Sequence, residues 1–169
     1  MKPRSNLVIG LALIILATLI GVLAWANAPR SREAATLTVM RGGAVLQAFT
    51  LEQIQKMPSV ELAKNIQSAN HTDERGVYRG VELRVLLDQA VPDWPTSSSQ
   101  IIARAADGYT ATFAPDEIGF ANNIVIVYAK DGLPLGSLTD GGSGPFRIII
   151  REDAFGTRGT KYLIEIEVG

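Results

Sequence analysis

Along the chain, runs of apolar residues alternate with short polar breaks, and the spacing of the apolar positions changes character from run to run. The first run is unlike the rest. Residues 7–26 read LVIGLALIILATLIGVLAWA, twenty positions without a charge. At the rise of a helix such a segment matches a bilayer hydrocarbon core of about 30 Å. Trp25 stands where an interfacial aromatic anchors a span. Lys2 and Arg4 precede the run and Arg30 and Arg32 follow it. The expected organisation is a cytoplasmic N-terminus (1–6), a transmembrane anchor or signal segment (7–26), a polar linker (27–35) and a domain on the extracytoplasmic, periplasmic side of the cell membrane (36–169). A cleaved signal is the competing reading, because Ala24 and Ala26 flank Trp25 in a small-x-small pattern. Cleavage would make the protein secreted.

Beyond the linker the patterns shorten. Leu37–Met40 and Ala44–Phe49 predict a hairpin turning at Arg41–Gly43. Thr50 and Gln53 have the spacing of a capping box and open a short helix that stops before Pro58. Val60–Gln67 suits an extended strand, and Asn70–Gly76 is polar and breaker-rich, as a loop is. Val81, Leu83, Leu86, Leu87 and Val91 fall on one face of a helix. Pro92–Ser99 reads as another loop. Ile101–Ala105 and Tyr109–Phe113 form a second expected hairpin around Asp107–Gly108, followed by a helical turn from Ala114. Ile124–Tyr128 has the unbroken apolarity of a buried strand. A glycine-rich loop, Gly136–Gly144, leads into a strand at Phe146–Ile150, and Tyr162–Val168 alternates like a final strand. Short helices among antiparallel strands predict an α+β domain with a mixed or antiparallel sheet.

Composition narrows the chemistry. The chain has 169 residues, one histidine and no cysteine, so it holds no disulfide, thiolate nucleophile or cysteine-ligated metal. From Ala34 onward there are 12 basic and 16 acidic residues, a net charge of −4 that gives no footprint for nucleic acid. His71, Asp73 and Glu74 crowd one polar stretch and offer a metal site only on paper, since loop charges of this kind are ordinarily hydrated. No nucleophile elbow, Walker loop or dinucleotide fingerprint is present.

Five separated motifs then line up. Tyr78, Gly80, Val81 and Leu83 lead into Leu86–Leu87. Ala106–Tyr109 is an Ala-Asp-Gly-Tyr turn. Tyr128, Asp131–Gly132 and Pro134–Leu135 make a second turn. Gly144–Arg147 opens a strand of isoleucines, and Gly156, Arg158 and Lys161–Leu163 close the chain. In this order they resemble the molybdopterin-binding domain of sulfite-oxidase-type oxidoreductases, across residues 36–169. The resemblance implies that domain's fold. It also implies a cofactor pocket in which Arg158 and Lys161 face a phosphate, with Arg147 and Tyr128 nearby; phosphates suit arginine forks and lysine point charges. The family's molybdenum-ligating cysteine falls in the stretch Val60–Arg75, where this chain offers only Ser68 and His71. Neither reproduces a soft anionic thiolate. The expectation is therefore a non-catalytic binding or interaction module with no catalytic residue, no metal ligand and no bound cofactor, recognising a small anionic ligand or a neighbouring membrane protein. The alternative is an oxidoreductase or accessory redox subunit that binds molybdopterin without a protein thiolate.

Overall fold

The structure is a computed structural model that describes residues 9–10, 13–20, 35–67 and 73–169. Compact packing divides the chain into Met1–Glu33 and Ala34–Gly169. Within the first unit, residues 9–10 and 13–20 are helical. The expected span at 7–26 lies partly outside the described residues, and among those described no helix is long and apolar enough to cross a membrane.

The second unit is an α+β domain dominated by sheet. Its strands divide into two sheets, a separation the sequence pattern does not reveal. The first has the order β2-β1-β10-β5-β6, with β1 Thr36–Arg41, β2 Ala44–Thr50, β5 Ile101–Ala105, β6 Thr110–Phe113 and β10 Leu163–Val168. It is mixed, because β1 and β10 run parallel while its other pairs are antiparallel. The second is antiparallel and contains β3 Val60–Ile66, β4 Glu74–Glu82, β7 Ile124–Lys130, β8 Leu133–Pro134 and β9 Arg147–Ile150. In it β3 pairs β4, β4 pairs β7, and the far edge of β7 is shared by β8 and β9.

Four short helices join the strands: α1 Leu51–Gln55, α2 Leu83–Ala90, α3 Trp94–Ser97 and α4 Pro115–Gly119. The capping box at α1 is complete. The Thr50 hydroxyl accepts from the Gln53 amide at 3.3 Å, and the Gln53 side chain accepts from the Thr50 amide at 2.8 Å.

Three boundaries differ from expectation. The segment read as a loop to Gly76 is already strand from Glu74, because β3 and β4 stay in register as far as Ile66 opposite Glu74. Val81 belongs to β4, where Ile126 of β7 pairs with it, and α2 begins only at Leu83. Pro92–Ser99 contains α3, which the early proline initiates and the Trp94 indole holds by donating to Asp88 at 2.8 Å.

The main core joins both sheets and α2. Leu37, Phe49 and Ile166 come from the first sheet, Leu83, Leu86 and Leu87 from the helix, and Ile126 and Ile148 from the second sheet. A smaller apolar cluster, with Leu62, Tyr78, Val125, Val127 and Ile149, occupies the other face of the second sheet. Strand β7 therefore buries both its faces, which explains its unbroken apolar run. Gly80 lets β4 close on β7: a Cβ there would lie 2.2 Å from the Ile126 carbonyl oxygen.

Candidate functional site

The smaller core holds the most deeply buried charge among the described residues. Alternation along β9 puts Arg147 on the same side as Ile149, and Arg147 is only 2% exposed. Its Nη1 donates to both oxygens of Glu74, at 3.0 and 2.9 Å. Glu74 opens β4, and Tyr78, four residues on, shares its face; the fully buried Tyr78 hydroxyl donates to Glu74 Oε1 at 2.8 Å. Lys130 ends β7 opposite Tyr78 and donates to the same oxygen at 3.2 Å. Both cations lie over the Tyr78 ring, Lys130 at 5.6 Å and Arg147 at 5.9 Å from its centre.

These contacts set the protonation states. Burial pushes the Glu74 carboxyl up, but the hydrogen bond and charge of Arg147, with the hydrogen bonds of Tyr78 and Lys130, outweigh it and hold the group at about 2. Burial first, and then the Glu74 carboxylate, pushes the Tyr78 phenol well above its ordinary value, so it remains a donor. Among the described residues one buried side-chain polar atom, Arg147 Nε, has no hydrogen-bond partner.

Beside this cluster lies an open cleft of about 450 Å³, bordered by Glu74, Lys130 and Lys161, by Leu133–Leu135 and by the glycine-rich loop at Gly141–Ser143. The turn that builds one wall is the expected one. Asp131 and Gly132 both take positive φ, 50° and 79°, as a two-residue hairpin turn demands. The Asp131 carboxylate accepts from the Val77 amide at 2.9 Å.

The opposite wall departs from a phosphate cradle. The amides of Gly141, Gly142, Ser143 and Gly144 donate to the carbonyls of Leu138, Ser137, Leu135 and Gly136, at 3.2, 2.8, 3.0 and 2.9 Å. Tyr162 clasps the loop from outside, its amide donating to Ser143 at 3.0 Å and its hydroxyl to Gly142 at 2.7 Å. The amides of Gly141–Ser143, the part of the loop that borders the cleft, are thus spent on carbonyls and are not offered to an anion.

The four residues expected around a pocket are not gathered together. Lys161 borders the cleft, exposed and with no ion-pair partner among the described residues. Arg147 sits behind the cleft, locked to Glu74. Arg158 is elsewhere: Nε and Nη2 fork onto Asp153 at 2.9 and 2.8 Å, while Nη1 donates to Glu117 at 3.0 Å. Those hydrogen bonds, Asp153 first and then Glu117, raise its pKa further still. Tyr128 is 7% exposed and packs in the main core.

Ser68 and His71 lie outside the described residues. Asp73 accepts from Asn65 Nδ2 at 3.2 Å. Among the described residues no group of three His, Asp or Glu side chains could hold a metal ion. Sequence reasoning missed Glu74, Tyr78 and Lys130 as one cluster. The available signal was the four-residue spacing of Glu74 and Tyr78, informative only once both are assigned to one strand.

With the geometry in place, comparison with known proteins adds a fold. No family model and no curated protein matches the chain. The crystal structure of the sulfane dehydrogenase SoxCD from Paracoccus pantotrophus does match, with a TM-score of 0.62 at 17% identity, over 79% of this chain. The likeness is one of fold. The matched region spans 38% of that chain, so the larger protein contains much that has no counterpart here.

Proposed function

We propose that the chain is a membrane-tethered extracytoplasmic binding module, without catalysis, built on a molybdopterin-domain-like fold and taking a small anion at Lys161. The observation that carries this reading is the contrast among the basic side chains. Arg147, Lys130 and Arg158 are already committed to carboxylates, whereas Lys161 borders the cleft with no ion-pair partner among the described residues. The tether rests on the uncharged run at 7–26, and the fold on the shared motifs and the SoxCD likeness.

The residues present do not fit a bound molybdopterin centre. The chain contains no thiolate, Arg158 is held by two carboxylates, and the loop amides at the cleft, those of Gly141–Ser143, donate to carbonyls. No reaction step is therefore assigned to it. The fold likeness to an oxidoreductase favours a second reading, a redox subunit that binds the cofactor with no protein sulfur.

One preparation separates the two. The chain is purified from a host that makes molybdopterin, assayed for molybdenum and for pterin fluorescence after denaturation, and titrated with inorganic sulfate and phosphate. The binding-module reading expects neither metal nor pterin, and anion binding that weakens at least tenfold in Lys161→Ala. Near-stoichiometric molybdenum and pterin would establish the redox reading instead. Anion binding unchanged by Lys161→Ala would remove the cleft from consideration.

A further inference from the structure

Among the described residues, strand β2 is an outer strand of the first sheet, paired on one side only, with β1. Its free side presents backbone donors and acceptors, a template that native sheets ordinarily blunt with charge, proline, short length or cover. The other outer strands are blunted, β8 by its two-residue length and Pro134, and β9 by its four-residue length and by the Ile148 amide, which donates to the Thr160 carbonyl on its free side. On β3 stand Glu61 and Lys64, and Gln67, just past its end, forms a bridge with Phe155. Strand β6 has only four residues, with Pro115 soon after it, and the Tyr109 hydroxyl just before it donates to the Thr157 carbonyl. Strand β2 has seven residues, AVLQAFT, with neither charge nor proline, and its Val45 and Leu46 are 62% and 46% exposed. Its one register irregularity is at Leu46, left without a partner between Val39 and Met40, while Gln47 to Thr50 pair regularly with β1.

We infer that β2 is the pairing edge of a homodimer, in which β2 of one copy lies antiparallel to β2 of another and joins two five-stranded sheets into one of ten. The occupant is a second copy because the strand is complementary to itself. Antiparallel self-pairing centred on Gln47 sets Gln47 beside its own copy, Leu46 opposite Ala48 and Val45 opposite Phe49, so apolar side chains meet apolar ones on either side of the dyad and no charge is left unpaired. Its middle residue, Gln47, bears an amide that both donates and accepts and so matches its own copy. A two-fold contact of this kind closes at two subunits, whereas pairing β2 with the short β6 would propagate without end. None of the cleft residues lies on β2, so the dimer does not depend on the function proposed above.

The natural absence of cysteine makes the test direct. Gln47→Cys is made in the full chain, purified in mild detergent and treated with a short bismaleimide. Glu61→Cys, on the outer strand of the other sheet, is treated alongside. The inference expects Gln47→Cys to become mostly covalent dimer while Glu61→Cys stays monomeric. Adding Val45→Lys to Gln47→Cys should reduce the dimer at least tenfold, with Ala48→Lys as the substitute if Val45→Lys does not fold. Monomer alone from Gln47→Cys would overturn the inference. So would equal cross-linking at both positions, which would place the association outside β2, or an unchanged yield with either lysine.

Discussion

Replacing Glu74 by glutamine removes the anion that holds Arg147, Tyr78 and Lys130 together, and its cost follows from the geometry. The folded chain keeps the Glu74 carboxyl at about 2, against 4.5 for a free glutamate. At full value that gap corresponds to about 3 kcal/mol of stability. The Glu74 side chain is 31% exposed, and solvent screening there brings the expectation to about 2 kcal/mol. The sign is fixed by the direction of the shift. A carboxyl whose folded pKa is depressed stabilises the fold above its unfolded value, and that contribution disappears as pH falls from 4.5 towards 2. Glu74→Gln should therefore be about 2 kcal/mol less stable than the parent at neutral pH, and the two proteins should converge across that acid window. Urea titrations followed by circular dichroism measure both, and subtracting the two curves cancels the other carboxylates. A difference below about 0.5 kcal/mol at neutral pH, or one that stays constant through the window, would refute the account of the cluster.

Two further substitutions test the frame that positions it. Thr50→Ala removes one half of the α1 capping box and should cost about 1 kcal/mol in the same titration. Gly80→Ala puts a Cβ 2.2 Å from the Ile126 carbonyl oxygen and 2.6 Å from Val127 Cα, backbone atoms that no rotamer change relieves. It should cost about 3 kcal/mol or more, while Gly119→Ala, with no atom within 4 Å of the new Cβ, serves as the nearly neutral control.

The sequence carried local structure well and the charged cluster poorly, for a physical reason. Turns and caps are written in adjacent residues: Thr50 with Gln53, and Asp131 with Gly132, each dictate a backbone geometry alone, and both appear as expected. The apolar run at Ile124–Tyr128 announced a strand buried on two faces. Glu74 gave no such signal. Its meaning depends on Arg147, seventy-three positions away, and on β9 pairing with β7 beside β4. The same holds for Arg158, whose partner Glu117 reaches it from α4. A resemblance of motifs names the basic residues, but only tertiary pairing tells which of them are already satisfied.

The parallel pairing of β1 with β10 has a mechanical meaning. The strand by which the chain enters the domain is held in the interior of its sheet, between β2 and β10, and the final residue is tied in turn to Gln100 and Ser99. Tension arriving through the residues before Thr36 would pull β1 lengthwise and load both its hydrogen-bond ladders together, in shear, where an outer strand would peel one bond at a time. A domain pulled from its N-terminal side would thus take the strain on an interior strand and not at an edge.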